Sequence, residues 1–132
     1  KLVGKNVYFK CENFQKTGSF KARGALNAVL SKLSRTSNVD RYNGCATHST
    51  GNHGTALAWA CQYANISCTV VLPRDTPIVK INSVKNYGAN LEFCEPNPIS
   101  RVNTCNQIAT EQKLRIIKPY DDYDVMCGQG TV

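Results

Sequence analysis

Apolar residues recur at steps of three and four from Ala22 through Ala25, Leu26, Val29 and Leu30 to Leu33, the spacing that gathers side chains on one helix face. Ser19, just before them, is a residue type that caps helices by accepting a hydrogen bond from a free backbone N–H. Upstream, NVYFKCE at residues 6–12 alternates well enough to predict a strand. Downstream, the polar stretch SRTSNVDRYNG at 34–44 predicts a connection between subdomains.

After residue 44 the pattern switches repeatedly between the two periods. CATHS predicts a strand, and residues 54–64 a helix with Ala56, Leu57, Ala60, Cys61 and Ala64 on one face. SCTVVLP, a continuous apolar run closed by Pro73, predicts a strand covered on both sides. A helix over 77–87, a strand at NLEFCEP, a helix over 99–113 and a strand at LRIIKP follow. Strands separated by helices of this length predict an α/β fold: parallel sheets with flanking helices and right-handed crossovers, with ligand-binding loops at the carboxyl ends of the strands. No internal repeat or low-complexity segment interrupts the pattern.

Charge changes the picture in one place. The net charge of +7 would suggest a nucleic-acid partner, but it is unevenly spread: residues 1–43 hold nine Lys/Arg against two acids, and residues 44–132 hold seven of each sign. Aromatics interleaved with the cations, as base stacking needs, are absent, so the expectation is no nucleic acid. No apolar run reaches eighteen residues and no cleavable apolar segment opens the chain, so neither a membrane span nor a membrane partner is expected. The first residue is not Met, which fits a piece of a longer chain. Seven cysteines, without C-x-x-C spacing or zinc-type Cys/His pairing, read as free thiols of a cytoplasmic protein, and no metal ligand set is expected.

Two loops carry candidate chemistry. In QKTGSFKARG, residues 15–24, Lys21 falls in the first turn of a helix, where the backbone already carries about half a positive charge. Lys16 and Arg23 add to it, and together these features favour the neutral amine, a nucleophile toward carbonyl compounds; a solvated surface lysine is the plainer alternative. HSTGNHG, residues 48–54, joins a strand to a helix, where backbone N–H groups hold anions. Ser49 and Thr50 supply hydroxyls, Asn52 an amide, and the glycines a close backbone approach; the plainer alternative is a cap and turn. Neither a dinucleotide fingerprint nor a P-loop is present.

Taken together, ENFQKTGSFKARGALNAV, HSTGNHGTALAWA, YGANLEFCEP and KPYDDYDVMCGQGTV resemble, in order and spacing, the serine racemase and serine/threonine dehydratase branch of pyridoxal-phosphate enzymes of fold type II, the tryptophan-synthase β-like fold. O-acetylserine sulfhydrylases and threonine synthases are less similar, because they place Asp where this chain has Ala22. The resemblance implies that Lys21 binds the cofactor aldehyde and later removes the substrate α-proton, that Phe20 packs on the cofactor ring, and that Asn52 bonds its ring oxygen. Ser49, Thr50, Asn52 and His53 would hold the substrate carboxylate, with Arg101 reaching it as in racemases. Thr50 stands where racemases carry an acid/base serine and many dehydratases alanine. Lys16, Thr17 and Tyr87 resemble a nucleotide effector site, although Thr55 departs from the glutamine often found there.

The implied activity is racemisation of serine or ammonia loss from serine or threonine, giving D-serine, or pyruvate and ammonia. Threonine dehydratase without racemase activity and a non-catalytic binding module are the alternatives. Pyridoxal phosphate is the implied cofactor, with Mg2+ and ATP as effectors and a homodimer as the assembly. Residues 1–43 and 119–132 would belong to a larger cofactor-anchoring domain and 44–118 to a smaller mobile one. The phosphate-cradling loop and the partner of the pyridine nitrogen are not found in the sequence, so this reads as the amino-terminal part of an enzyme, expected to bind cofactor weakly or not at all alone.

Overall fold

The computed structural model describes residues 4–35 and 42–132, and most of the connection expected over 34–44 lies outside them. Helix α1 (Lys21–Arg35) leads to strand β1 (Gly44–His48), α2 (Asn52–Tyr63), β2 (Ser67–Pro73), α3 (Ile78–Lys85), β3 (Asn90–Cys94), α4 (Pro98–Glu111), β4 (Leu114–Ile116) and α5 (Tyr123–Gln129). The four strands form one parallel sheet in the order β3-β2-β1-β4.

Both faces of the sheet are covered, and the alternation within each strand divides the core. Cys45, Val70 and Leu72 face a cluster with Ala56, Leu57, Ala60 and Cys61 of α2, while Ala46 and Val71 join Cys105, Ile108 and Ala109 of α4. This arrangement explains the unbroken apolar run of β2, which is buried from Cys68 to Pro73. Cys45, hydrogen-bonded with Cys61 and buried, is held well above the usual thiol range. All seven cysteines are free, and five of them are buried.

Two expectations fail here. Residues 6–12 form no strand: Tyr8 and Phe9 are 91% and 82% exposed, and a 3-10 turn begins at Glu12. Alternation alone supplies no neighbour, and none of the four strands pairs with this segment. In α1 the buried residues are Ala22, Gly24, Ala25, Ala28 and Val29, whereas Leu30 and Leu33 are exposed. The reason is that α1 packs closely between α2 and α5 on small side chains.

Helix α5 is capped by Asp122, whose carboxylate accepts from the N–H groups of Asp124 and Val125 at 3.1 and 3.2 Å. It is tied to the end of α1 by Lys32, 3.2 Å from Asp122, and by Arg35, 3.1 Å from Asp124. Asn27 adds a 2.7 Å bond to the Asp124 carbonyl.

Candidate active site

Lys21 opens α1, and its backbone N–H lies 3.4 Å from the Oγ of Ser19, the cap read from the sequence. Its half-buried amine donates to the Pro119 carbonyl at 3.0 Å and sits 5.3 Å from the centre of the Phe20 ring. The cations expected to crowd it are differently employed. Arg23 makes a two-pronged pair with Glu12, at 2.8 and 3.1 Å, so its charge is already matched. That hydrogen-bonded pairing holds the Glu12 carboxyl below its ordinary range and raises Arg23. Lys16 is exposed on the preceding turn, where Thr17 adopts φ 63°, a strained conformation for a β-branched residue, with its hydroxyl buried and unpartnered.

The second loop leaves β1 at its carboxyl end and runs straight into α2. The Ser49 hydroxyl accepts from the Gly51 N–H at 3.3 Å, and Asn52 starts the helix two residues before the expected boundary. Gly54 can only be glycine, since a Cβ there would lie 2.7 Å from the Ser49 carbonyl oxygen. At Gly51 an added Cβ would meet nothing within 4 Å, so the loop opens outward, with Ser49 and Thr50 half-buried and Asn52 exposed.

His53 differs from the expectation that it reaches a substrate. Its imidazole is 3% exposed, and Nε2 donates to the Ile117 carbonyl at 3.1 Å, leaving the backbone N–H as the group available at the helix start. Burial pushes this imidazole down to about 4, against an unperturbed 6.5, although the Ile117 bond opposes the shift. Because the unfolded chain takes up the proton first, stability is expected to fall as pH drops from 6.5 to about 4. The loss totals about 3 kcal/mol and then levels off. Urea midpoints across that range check it, and the part due to this residue should vanish in His53→Gln.

Two cations and an imidazole belong to the surroundings of the same loop. His48 ends β1, Arg101 lies in α4, and Lys118 follows β4; burial first, then Arg101 and Lys118, push the His48 imidazole down. The Nε of Arg101 is buried without a partner, and Arg101 makes no ion pair among the described residues. His48 and Lys118 were not singled out from the sequence; the one signal was their position at strand ends. Tyr87, by contrast, is half-buried and packs against the core cluster that includes α2.

The donor set fits an aldehyde cofactor and an amino-acid carboxylate. It offers an amine hydrogen-bonded to a carbonyl, hydroxyls and an amide at an open helix start, and a guanidinium without an ion pair among the described residues. Among the described residues no cluster of three or more His, Cys, Asp or Glu could hold a metal, and no helix is long and apolar enough to cross a membrane.

A parallel α/β unit with an amine and an anion-holding helix start near its strand ends has the make-up of a fold-type II pyridoxal-phosphate protein. The chain belongs to the pyridoxal-phosphate dependent enzyme family, whose sequence model matches residues 1–132. It is 43% identical to a serine racemase of Dictyostelium discoideum, over 98% of this chain and 39% of that protein. It is 42% identical to a beta-hydroxyaspartate dehydratase of Paracoccus denitrificans, over 98% of this chain and 40% of the relative. The crystal structure of a pyridoxal 5'-phosphate-dependent aspartate racemase superposes with a TM-score of 0.88 at 54% identity, covering 94% of this chain and 37% of that one. The chain thus spans 39% and 40% of the length of these two curated relatives.

Proposed function

We propose that the full-length protein is a pyridoxal-phosphate-dependent amino-acid racemase and ammonia-lyase whose reactive amine is Lys21. The observation that carries this reading is the meeting of both candidate loops on one stretch of backbone: Lys21 bonds the carbonyl of Pro119, and His53 that of Ile117. Phe20 and Asn52 are the residues proposed to flank the cofactor ring, as the resemblance implies.

Bound cofactor supplies an electron sink for negative charge at the substrate Cα. The chain's own groups do the rest. Ser49, Asn52 and the backbone N–H groups opening α2 bind the α-carboxylate, where the helix end favours an anion. Lys21, released from Pro119, takes the α-proton, and the Thr50 hydroxyl is the second proton-transfer group. Loss of a β-hydroxyl gives the ammonia-lyase outcome, and return of a proton to the other side gives racemisation. Residues 44–118 closing over the rest of the protein would exclude water during these steps.

Serine and threonine are the substrates expected from the sequence. Arg101 and Lys118 favour a second reading, an acidic substrate, because the two cations that act on His48 supply more positive charge than one α-carboxylate needs. Two of the relatives carry aspartate or hydroxyaspartate in their names. The deciding experiment offers the full-length protein pyridoxal phosphate with L-serine, L-aspartate or 3-hydroxyaspartate, assaying the D-enantiomer and the keto acid together. Arg101→Met should reduce turnover of the acidic substrates about 100-fold while sparing serine, the cost of one lost charge-assisted bond. Equal loss on all three would return Arg101 to the α-carboxylate. Thr50→Ala should lower racemisation about 100-fold and spare elimination; equal loss of both would remove Thr50 from proton transfer.

Nucleotide control through Lys16, Thr17 and Tyr87, with Mg2+ as a further effector, and a homodimeric assembly rest on the resemblance alone. A cofactor-dependent absorbance band from residues 1–132 by themselves would contradict the proposal that the cofactor's main anchor lies elsewhere in the protein.

A further inference from the structure

Residues 117–119 have an unusual set of attachments. The Ile117 N–H donates to the Ala46 carbonyl at 2.9 Å, extending the contact of β4 with the central strand by one residue. The Ile117 carbonyl accepts from His53, and two residues later the Pro119 carbonyl accepts from Lys21. The first residue of this short segment is therefore fixed both to the sheet and to α2, and its last residue to the candidate reactive amine. Pro119 has a fixed φ and biases Lys118 before it to extended backbone, so the path from the Ile117 carbonyl to the Pro119 carbonyl has fewer free torsions than an ordinary segment, and a shift at one is passed toward the other.

The imidazole is costly where it lies. A carbonyl can only accept, so Nε2 carries the hydrogen, and Nδ1 is left as a buried acceptor with no partner. A buried polar atom left bare is destabilising, and a leucine of similar size would avoid that cost. Among the described residues, the hydrogen bond the ring makes is the one to Ile117.

We propose that His53 is a positioning residue: by holding the Ile117 carbonyl, it fixes the turn whose Pro119 carbonyl restrains the Lys21 amine. The inference rests on the reading of Lys21 as the reactive amine. It makes the reach of the lysine depend on the helix that carries the substrate-binding loop, so the two halves of the site are set by one backbone segment.

The test uses the cofactor-free full-length protein and acetic anhydride, following acetylation of Lys21 by mass spectrometry at fixed pH. His53→Gln keeps an N–H close to the place of Nε2, and His53→Leu keeps the volume without a donor. Lys21 should acetylate about fivefold faster in His53→Leu, the net worth of one hydrogen bond, and within about twofold of the parent in His53→Gln. Lys32, paired with Asp122, reports general loosening and should keep its parent rate. A parent-like Lys21 rate in His53→Leu, or equal acceleration of Lys21 and Lys32, would overturn the proposal and leave His53 a core-filling residue. If His53→Leu fails to fold, His53→Asn, whose amide is too short for Ile117, takes its place, and an Asn variant behaving like Gln overturns the proposal equally. Borohydride trapping of pyridoxal phosphate on the parent protein tests the reading of Lys21 separately. An adduct elsewhere would sink that reading while leaving the acetylation result standing.

Discussion

Lys21→Ala in the full-length protein is expected to lower both proposed activities, racemisation and ammonia release, by about 10⁴-fold or more, because one substitution removes the proposed nucleophile toward the cofactor and the proposed α-proton acceptor. Lys21→Arg should be nearly as damaging, since a guanidinium keeps the charge but cannot serve as a nucleophile at neutral pH. The fold should hardly notice. The amine is half-buried at the start of α1 and makes one hydrogen bond, to Pro119, whose loss costs about 1 kcal/mol. Measuring kcat/KM for both reactions beside a urea-unfolding curve separates the two effects. Activity within about tenfold of the parent, with an intact fold, would place the reactive amine elsewhere.

Gly128→Ala is expected to lower stability by about 3 kcal/mol or more. A Cβ at this position would lie 2.5 Å from the Gly24 Cα, 2.6 Å from the Arg23 carbonyl oxygen and 2.9 Å from its carbon. All three are backbone atoms of α1, so no side chain can turn aside to make room. Relief requires α5 to move off α1, which would strain the Asp122 and Asp124 pairs with Lys32 and Arg35. A lower urea midpoint at unchanged m-value is the expected signature, and a midpoint equal to the parent's would mean that the two helices have slack between them. Lys21 rides on the displaced helix, so surviving Gly128→Ala protein should also lose activity.

The sheet and the helices α2 to α4 were legible because each is long enough to declare its period and each strand is bounded by turn residues. The strand expected at 6–12 shows the limit of that signal, since alternation describes one strand and says nothing of a neighbour. Helix α5 escaped because it is short and mixed in polarity; the clue available was Asp122 standing before a small apolar group. In the site, the types of residue drew attention to Lys21 and to the Ser49–Asn52 loop. Their partners did not announce themselves. Glu12, which matches the charge of Arg23, lies eleven residues upstream of it, and the groups holding Lys21 and His53 are backbone carbonyls that every residue possesses.

The strand order also sets a timetable for assembly. Gly44 pairs with Ser67 on one side of β1 and with Leu114 on the other, so the second pairing closes a much longer loop, at roughly 1 kcal/mol of additional chain entropy. During synthesis β1, α2 and β2 emerge first and can dock before residues 114–119 have been translated. The carbonyls that restrain His53 and Lys21 arrive with that last segment. In the nascent chain the amine proposed to react is therefore organised only after β1, α2 and β2 have been made, and a variant that slows the docking of β4 should delay formation of the proposed site more than it delays the appearance of secondary structure.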